Sequence, residues 1–305
     1  MTGLQSSAAT RRPLRVPTVE ELPPLLARSP LAIFDEAITF LRIQPGLLLG
    51  IALIVLVPLR LIAVAMPGSP LRDARPDQLI DIFVGNLSQP GAVTAAFITL
   101  ILESVALFTV ASIYGELVAS WYSGRAVTAS DLLVASIKRS PVIVAAWLMV
   151  HALEFGGALF TVGIGGLVIG VFLMVTAPII GAENAGPIVG IRRSTSLVSS
   201  KIGHCMAVYS LAGSGALIMR LVIEFAPSFL GLELLRLPLW LTAGVADLLA
   251  TVVATAFVAA SSTVLYLDLR VRREGIDLDM AMSRAYSRSA SKAASTPSIR
   301  ADFSG

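Results

Sequence analysis

Six long apolar stretches, at residues 47–66, 92–118, 141–162, 165–183, 204–225 and 239–267, constrain what this chain can fold into. A membrane-crossing helix needs roughly 20 mostly apolar residues, and each stretch meets or nearly meets that length. The backbone polar groups of a span must be satisfied within the span, which leaves the α-helix for isolated runs of this kind. The expected fold class is therefore all-α: a polytopic membrane protein with six transmembrane helices. Charged residues make up 14% of the 305, against about 25% in a soluble protein. The domain reading is a membrane domain over 31–280, between an N-terminal segment (1–30) and a tail (281–305) expected to be disordered. Neither flank has the ~50 residues of an independent domain. The first 30 residues are polar and proline-rich without an apolar core segment, so no cleavable signal peptide is expected.

Residues 141–183 form one apolar run of 43. As a single helix it would measure about 64 Å, twice the hydrocarbon thickness. Gly163, Gly165 and Gly166 supply a break, so a tight hairpin is expected. Trp121 and Tyr122 end the second stretch and Trp240 begins the sixth, where amphipathic aromatics favour the interface.

Lysine and arginine alternate in density between the connecting segments. The N-terminal segment carries five, the 119–140 loop three, the 184–203 loop three and the tail seven. The intervening segments carry two, none and one, and Arg60 and Arg220 lie inside spans. Cytoplasmic segments hold the basic excess, so both termini are expected on the cytoplasmic face of the membrane.

Short amphipathic segments precede the odd-numbered spans. In Leu31–Gln44, one face collects Leu31, Phe34, Ile38 and Leu41; in Ser130–Ser140, Ser130 is the expected N-cap and Leu133 and Ile137 share a face. In Pro187–Ser200, Ile188, Ile191 and Val198 oppose Arg192, Arg193, Ser196 and Ser199. Pro45, Pro141 and Gly203 are expected to separate these helices from the spans that follow. The predicted pattern, three times over, is a surface helix with its apolar face in the headgroup plane, then a membrane hairpin.

Three passages resemble one family. They are Arg28–Leu31 with Asp35–Ala37 and Gln44–Gly46; Ile191–Ser194 with Leu197 and Val198; and Leu265–Leu278, which runs Tyr266, Asp268-Leu269-Arg270, Arg272, Glu274-Gly275 and Asp277-Leu278. Over about residues 28–280 the chain is similar to multi-pass proteins of actinobacteria labelled "glycerophosphoryl diester phosphodiesterase membrane domain". The resemblance implies a six-span protein of unknown biochemistry. It does not carry the hydrolase activity, which belongs to a separate barrel with paired histidines and metal-binding carboxylates. This chain has only His151 and His204.

The candidate functional residues are the ionisable groups inside spans, which are costly there and usually face the bundle interior. They are Arg60, Glu103, His151, Glu154, Arg220, Glu224 and Asp247. His151 and Glu154, three apart, share a helix face, as do Arg220 and Glu224, four apart. One reading is a polar cavity in which Glu103, His151 and Glu154 bind or relay protons while Arg60 and Arg220 hold an anion. The other is that opposite charges pair and fix helix register, with the arginines free to snorkel. Arg192, Arg193, Arg270, Arg272 and Arg273 are candidates for contact with anionic lipid, although topology alone accounts for them. Pro58 and Pro178 are expected to kink their spans. Gly46/Gly50, Gly166/Gly170 and Ala256/Ala260 allow close helix packing. No reaction motif is readable, and with one cysteine and two separated histidines neither a metal site nor a cofactor is expected; no enzyme is expected either. Two functions stay open. One is a scaffold that binds the bilayer's anionic lipid or a membrane protein partner, without nucleic acid. The other is a transporter or channel built on the intramembrane charges. The basic surface helices and the lack of a readable broken helix pair favour the scaffold.

Overall fold

The computed structural model describes residues 22, 25–65, 92–229 and 239–276. The expected terminal disorder, the loops at 66–91 and 230–238 with Arg72, Arg75 and Arg236, and the tail basic residues beyond Arg273 lie outside them, as does the side chain of Trp240. The described residues form helices and no strands. In chain order these are α1 (Pro30–Ile43), α2 (Pro45–Ala65), α3 (Ala92–Tyr122), α4 (Ala129–Lys138), α5 (Ser140–Phe160), α6 (Ile164–Leu173), α7 (Thr176–Glu183), α8 (Pro187–Ser199), α9 (Ile202–Phe229) and α10 (Leu239–Glu274). Six segments are long and apolar enough to cross a membrane: α2, α3, α5, α6 with α7, α9 and α10. The protein is an all-α, multi-pass integral membrane protein.

A short helix precedes the first, third and fifth spans, as the pattern predicts. The starts follow local chemistry. The Ser29 hydroxyl accepts from the Ala32 N–H at 3.2 Å and Pro30 opens α1. Pro45 begins α2 directly after Gln44, whose extended backbone (φ −145°) suits a residue before proline. The cap of α4 is Thr128 rather than Ser130. Its hydroxyl accepts from the Asp131 N–H while the Asp131 carboxylate accepts from the Thr128 N–H at 3.0 Å, a reciprocal capping box. The last boundary falls at Ser200–Lys201, so Gly203 lies inside α9.

Only part of each predicted apolar face is covered by the rest of the protein. Leu31, Ile137 and Ile188 are exposed. In α1 the innermost face is Ile33, Ala37 and Phe40, each fully buried, and the helix packs into the groove between α9 and α10. Phe34 lies over Gly215, where a β-carbon would strike its ring, and meets Phe257 edge-on at 5.0 Å. Phe40 packs on Tyr114 and Trp121. In α4 the buried pair is Leu132 and Ser136; in α8 four residues are buried, Gly190, Ser194, Leu197 and Val198. Phe34 and Val198 belong to the predicted faces, and the other covered residues are set by which helices become neighbours.

The hairpin after α5 turns at Val162 (φ 52°) and Gly163 (φ 93°). Positive φ is free for the glycine and costly for the β-branched valine. Gly165 and Gly166 are not part of the break. They let α6 sit on α5, since a β-carbon on Gly166 would be 2.8 Å from the Glu154 carbonyl. The fourth span is broken rather than kinked. α6 ends at Leu173 and α7 begins at Thr176, because Pro178 has no N–H to return to the Met174 carbonyl. Pro58, by contrast, lies inside an uninterrupted α2. The closest backbone approach is α3 to α7: a β-carbon on Gly115 would fall on the Pro178 backbone, and one on Gly181 on the Ser112 carbonyl. Gly46 and Gly50, expected to pack, face open space, while Ala256 and Ala260 are fully buried.

Candidate functional site

The intramembrane charges divide into two groups. The first joins four helices. Arg60 Nη2 on α2 lies 2.7 Å from Glu103 Oε1 on α3 and 3.2 Å from Asp247 Oδ1 on α10, and it donates to Thr251 Oγ1 at 2.5 Å. Arg220 on α9 reaches Glu103 at 3.3 Å, Asp247 at 3.2 Å and Glu224, one turn along, at 2.6 Å. Two guanidiniums thus serve three carboxylates. Their side chains are mostly buried, Arg60 at 11% exposed and Glu103 and Asp247 at 19%. Glu103 therefore does not join His151 and Glu154, as the sequence reading had it. Both arginines have their charge consumed by acids of this chain, which leaves neither poised for an anion.

The second group lies on α5. His151 Nε2 is 3.8 Å from Glu154 Oε2. The pair lines a cavity of about 320 Å³ between the α5–α6 hairpin and α3, α9 and α10. Its walls are chiefly apolar: Leu107, Phe108 and Ala111 from α3, Val150 from α5, Leu173 and Met174 at the helix break, Ala177 from α7, and Ala212 and Val258 opposite. Its polar lining is Ser104, His151, Glu154, Tyr209, Ser261 and Ser262. Gly170 makes room for the polar corner, since a β-carbon there would stand 3.2 Å from Glu154 Oε1 and 3.5 Å from the Tyr209 hydroxyl. α5 and α9 flank the cavity without an extended interface between them.

The hydrogen bonds around the cavity fix its chemistry. His151 Nδ1 is 3.0 Å from the Trp147 carbonyl, an acceptor only, so Nδ1 carries a proton and Nε2 is the nitrogen turned toward Glu154. The Trp147 indole tilts over the His151 ring at 4.9 Å and donates to Ser104 Oγ at 3.0 Å. Ser104 donates to the Ile101 carbonyl, Ser261 to that of Phe257 and Ser262 to that of Ala259. Sequence reading found His151 and Glu154 by spacing and missed Tyr209, the serines and the purpose of Gly170. A tyrosine inside a span, away from the interface belts, was the available signal.

The basic residues expected at the lipid surface mostly turn inward. Asp268, fully buried, accepts from the Arg28 N–H at 2.6 Å and from Arg272 at 2.7 Å, and His204 Nε2 lies 3.2 Å away. Arg193 pairs with Glu183 at 3.1 Å and with Glu274. Burial opposes its charge, but the bonds and charges of those two carboxylates outweigh it and hold the guanidinium above its ordinary value. Arg270 bonds Glu274 at 2.8 Å and the Tyr266 hydroxyl, which donates to Glu183 at 3.0 Å; Arg273 donates to the Ser196 carbonyl. Of the five, Arg192 and Arg273 are exposed without an ion pair among the described residues. The Tyr266–Glu274 passage is thus a clasp tying α1, α7, α8 and α9 to α10. No cluster of three or more His, Cys, Asp or Glu that could hold a metal ion occurs among the described residues.

No known family, curated protein or solved structure matches this chain. Its chemistry must be argued from the geometry.

Proposed function

We propose that this protein binds and carries a small solute through the membrane at the cavity between the α5–α6 hairpin and α9. The carrying observation is the juxtaposition at one wall of an ionisable pair, His151 and Glu154, with the broken fourth span, whose Met174 lines the same space. Discontinuous helices at mid-membrane are a recurring way to build transporter sites, and 320 Å³ sits at the small end of ligand cavities. Glu154 is distinctive in its partners. Glu103, Glu224 and Asp247 each contact an arginine, whereas among the described residues Glu154 faces His151 and the Tyr209 hydroxyl and contacts no arginine. Intramembrane acids without a permanent counter-ion mark solute or proton pathways. A scaffold would rest on free basic side chains at the membrane surface; Arg193, Arg270, Arg272 and Arg273 are engaged within the chain, which favours the carrier. The basic bias supports cytoplasmic termini, and the quoted passages support kinship with the actinobacterial six-span family.

The test is a solute screen by thermal unfolding of the protein in nanodiscs, run beside Gly170→Leu, which fills the cavity. Compounds that raise the unfolding temperature of the wild type and not of the variant should also move across the bilayer of proteoliposomes. A screen in which no compound distinguishes the two proteins refutes the reading.

A further inference from the structure

Resting on that reading, we infer that the solute is a lipophilic primary amine, held as its ammonium ion between Glu154 and the Tyr209 hydroxyl over Gly170. The argument is a census of donors and acceptors at the wall. Ser104, Ser261 and Ser262 spend their hydroxyl protons on backbone carbonyls. The Nδ1 proton of His151 is committed to the Trp147 carbonyl, which leaves Nε2 as the ring nitrogen facing Glu154. The Glu154 carboxylate accepts only. The Tyr209 hydroxyl is the one polar group on this wall that retains a proton to give, and it also accepts.

A wall of acceptors in an apolar cavity selects a ligand rich in donors. A primary ammonium brings three N–H donors and one positive charge, against the Glu154 carboxylate and the Tyr209 hydroxyl oxygen. Glu154 Oε1 and the Tyr209 hydroxyl converge over Gly170, within 3.2 and 3.5 Å of where a β-carbon would stand. The 3.8 Å between His151 Nε2 and Glu154 Oε2 is too long for a direct hydrogen bond and leaves a donor from a third party unopposed. An anion would meet a carboxylate and a single donor, because Arg60 and Arg220 are bound to Glu103, Asp247 and Glu224. The remaining wall, with Leu107, Phe108, Val150 and Val258, fits a hydrocarbon or aromatic tail.

The experiment uses four probes of one shape on the full chain in nanodiscs: 4-phenylbutylamine, its N,N,N-trimethyl analogue, 4-phenylbutanol and 4-phenylbutanoate. Binding is measured by calorimetry to the wild type, Glu154→Gln, Tyr209→Phe and Gly170→Leu. The amine should bind best, with each other probe at least about tenfold weaker, the loss expected for hydrogen bonds to a charged group. Glu154→Gln should abolish the preference for the amine over the alcohol, and Tyr209→Phe should weaken the amine severalfold while leaving the fold intact by circular dichroism. If the trimethyl analogue binds as well as the amine, charge alone is read and the acceptor wall is wrong. Should the alcohol or the carboxylate bind best, in a manner lost in Gly170→Leu, the amine assignment falls and the carrier site stands. Failure of all four probes to distinguish wild type from Gly170→Leu overturns the amine assignment, and the wider solute screen then decides the carrier reading separately.

Discussion

Replacing Arg60 with methionine is the most informative perturbation of the charge network, because it removes one guanidinium from a group with an excess carboxylate. Arg60 contacts Glu103 at 2.7 Å and Asp247 at 3.2 Å. At an effective dielectric constant near 20, each such pair has a gross attraction of about 5–6 kcal/mol. Most of that offsets the cost of burying the charges, so the measurable quantity is what happens when one partner vanishes. Breaking a buried pair from one side typically costs about 3–5 kcal/mol. Here Arg220 still touches both acids, at 3.3 and 3.2 Å, so the low end, about 3 kcal/mol, is expected. Unfolding in mixed micelles by a denaturing detergent, followed by circular dichroism, reads the loss. The charge-balanced double variant Arg60→Met with Glu103→Gln should recover at least about 1 kcal/mol relative to the sum of the single effects. A single variant within about 0.5 kcal/mol of wild type, or a double that is additive to that precision, would refute the idea that these five groups act as one unit. Glu154→Gln, outside the network, should leave stability within about 1 kcal/mol of wild type.

Two further substitutions separate backbone packing from surface tolerance. Gly181→Ala places a methyl on the Ser112 carbonyl and should destabilise by about 1–3 kcal/mol, whereas Gly50→Ala faces open space and should stay within about 0.5 kcal/mol in the same unfolding assay. Asp268→Asn removes the charge that binds Arg272 and the Arg28 N–H, and should loosen α1 from the bundle, read as faster hydrogen exchange across residues 30–43. Thr128→Ala removes the capping box of α4 and should cost about 1 kcal/mol.

What the sequence made legible follows the range of the forces involved. The spans were readable because a bilayer imposes length and hydropathy on contiguous residues, and a run of 43 must turn. Pairs three or four apart, His151 with Glu154 and Arg220 with Glu224, were readable because helix geometry alone brings them together. Glu103 with Arg60 and Arg220 was not, since that contact spans α2, α3 and α9 and depends on which helices become neighbours. The same limit hid the seam of Gly115 and Gly181, and it reversed the reading of the arginines near residue 270, whose acids sit at Glu183, Asp268 and Glu274.

The partition of charges carries a consequence for how this membrane protein divides its labour. The arginine-linked acids join α2, α3, α9 and α10, of which α10 packs on each of the other three. The α5–α6 hairpin contributes no member to that network, yet it supplies both ionisable groups of the α5 pair and the glycine beneath them. Its fourth-span continuation is interrupted at Met174 and Val175, and it meets α9 through α6 rather than α5. A bundle locked by ion pairs on one side and carrying its unlocked charges on a hairpin at the other has a fixed frame and one element able to shift against it. If the hairpin moves when a solute binds, Glu154 moves with it while Glu103 and Asp247 do not. Spin labels on α5 and α9 should then change separation on addition of ligand, whereas a pair on α2 and α10 should not; a change confined to the α2–α10 pair would reverse the assignment of frame and moving part.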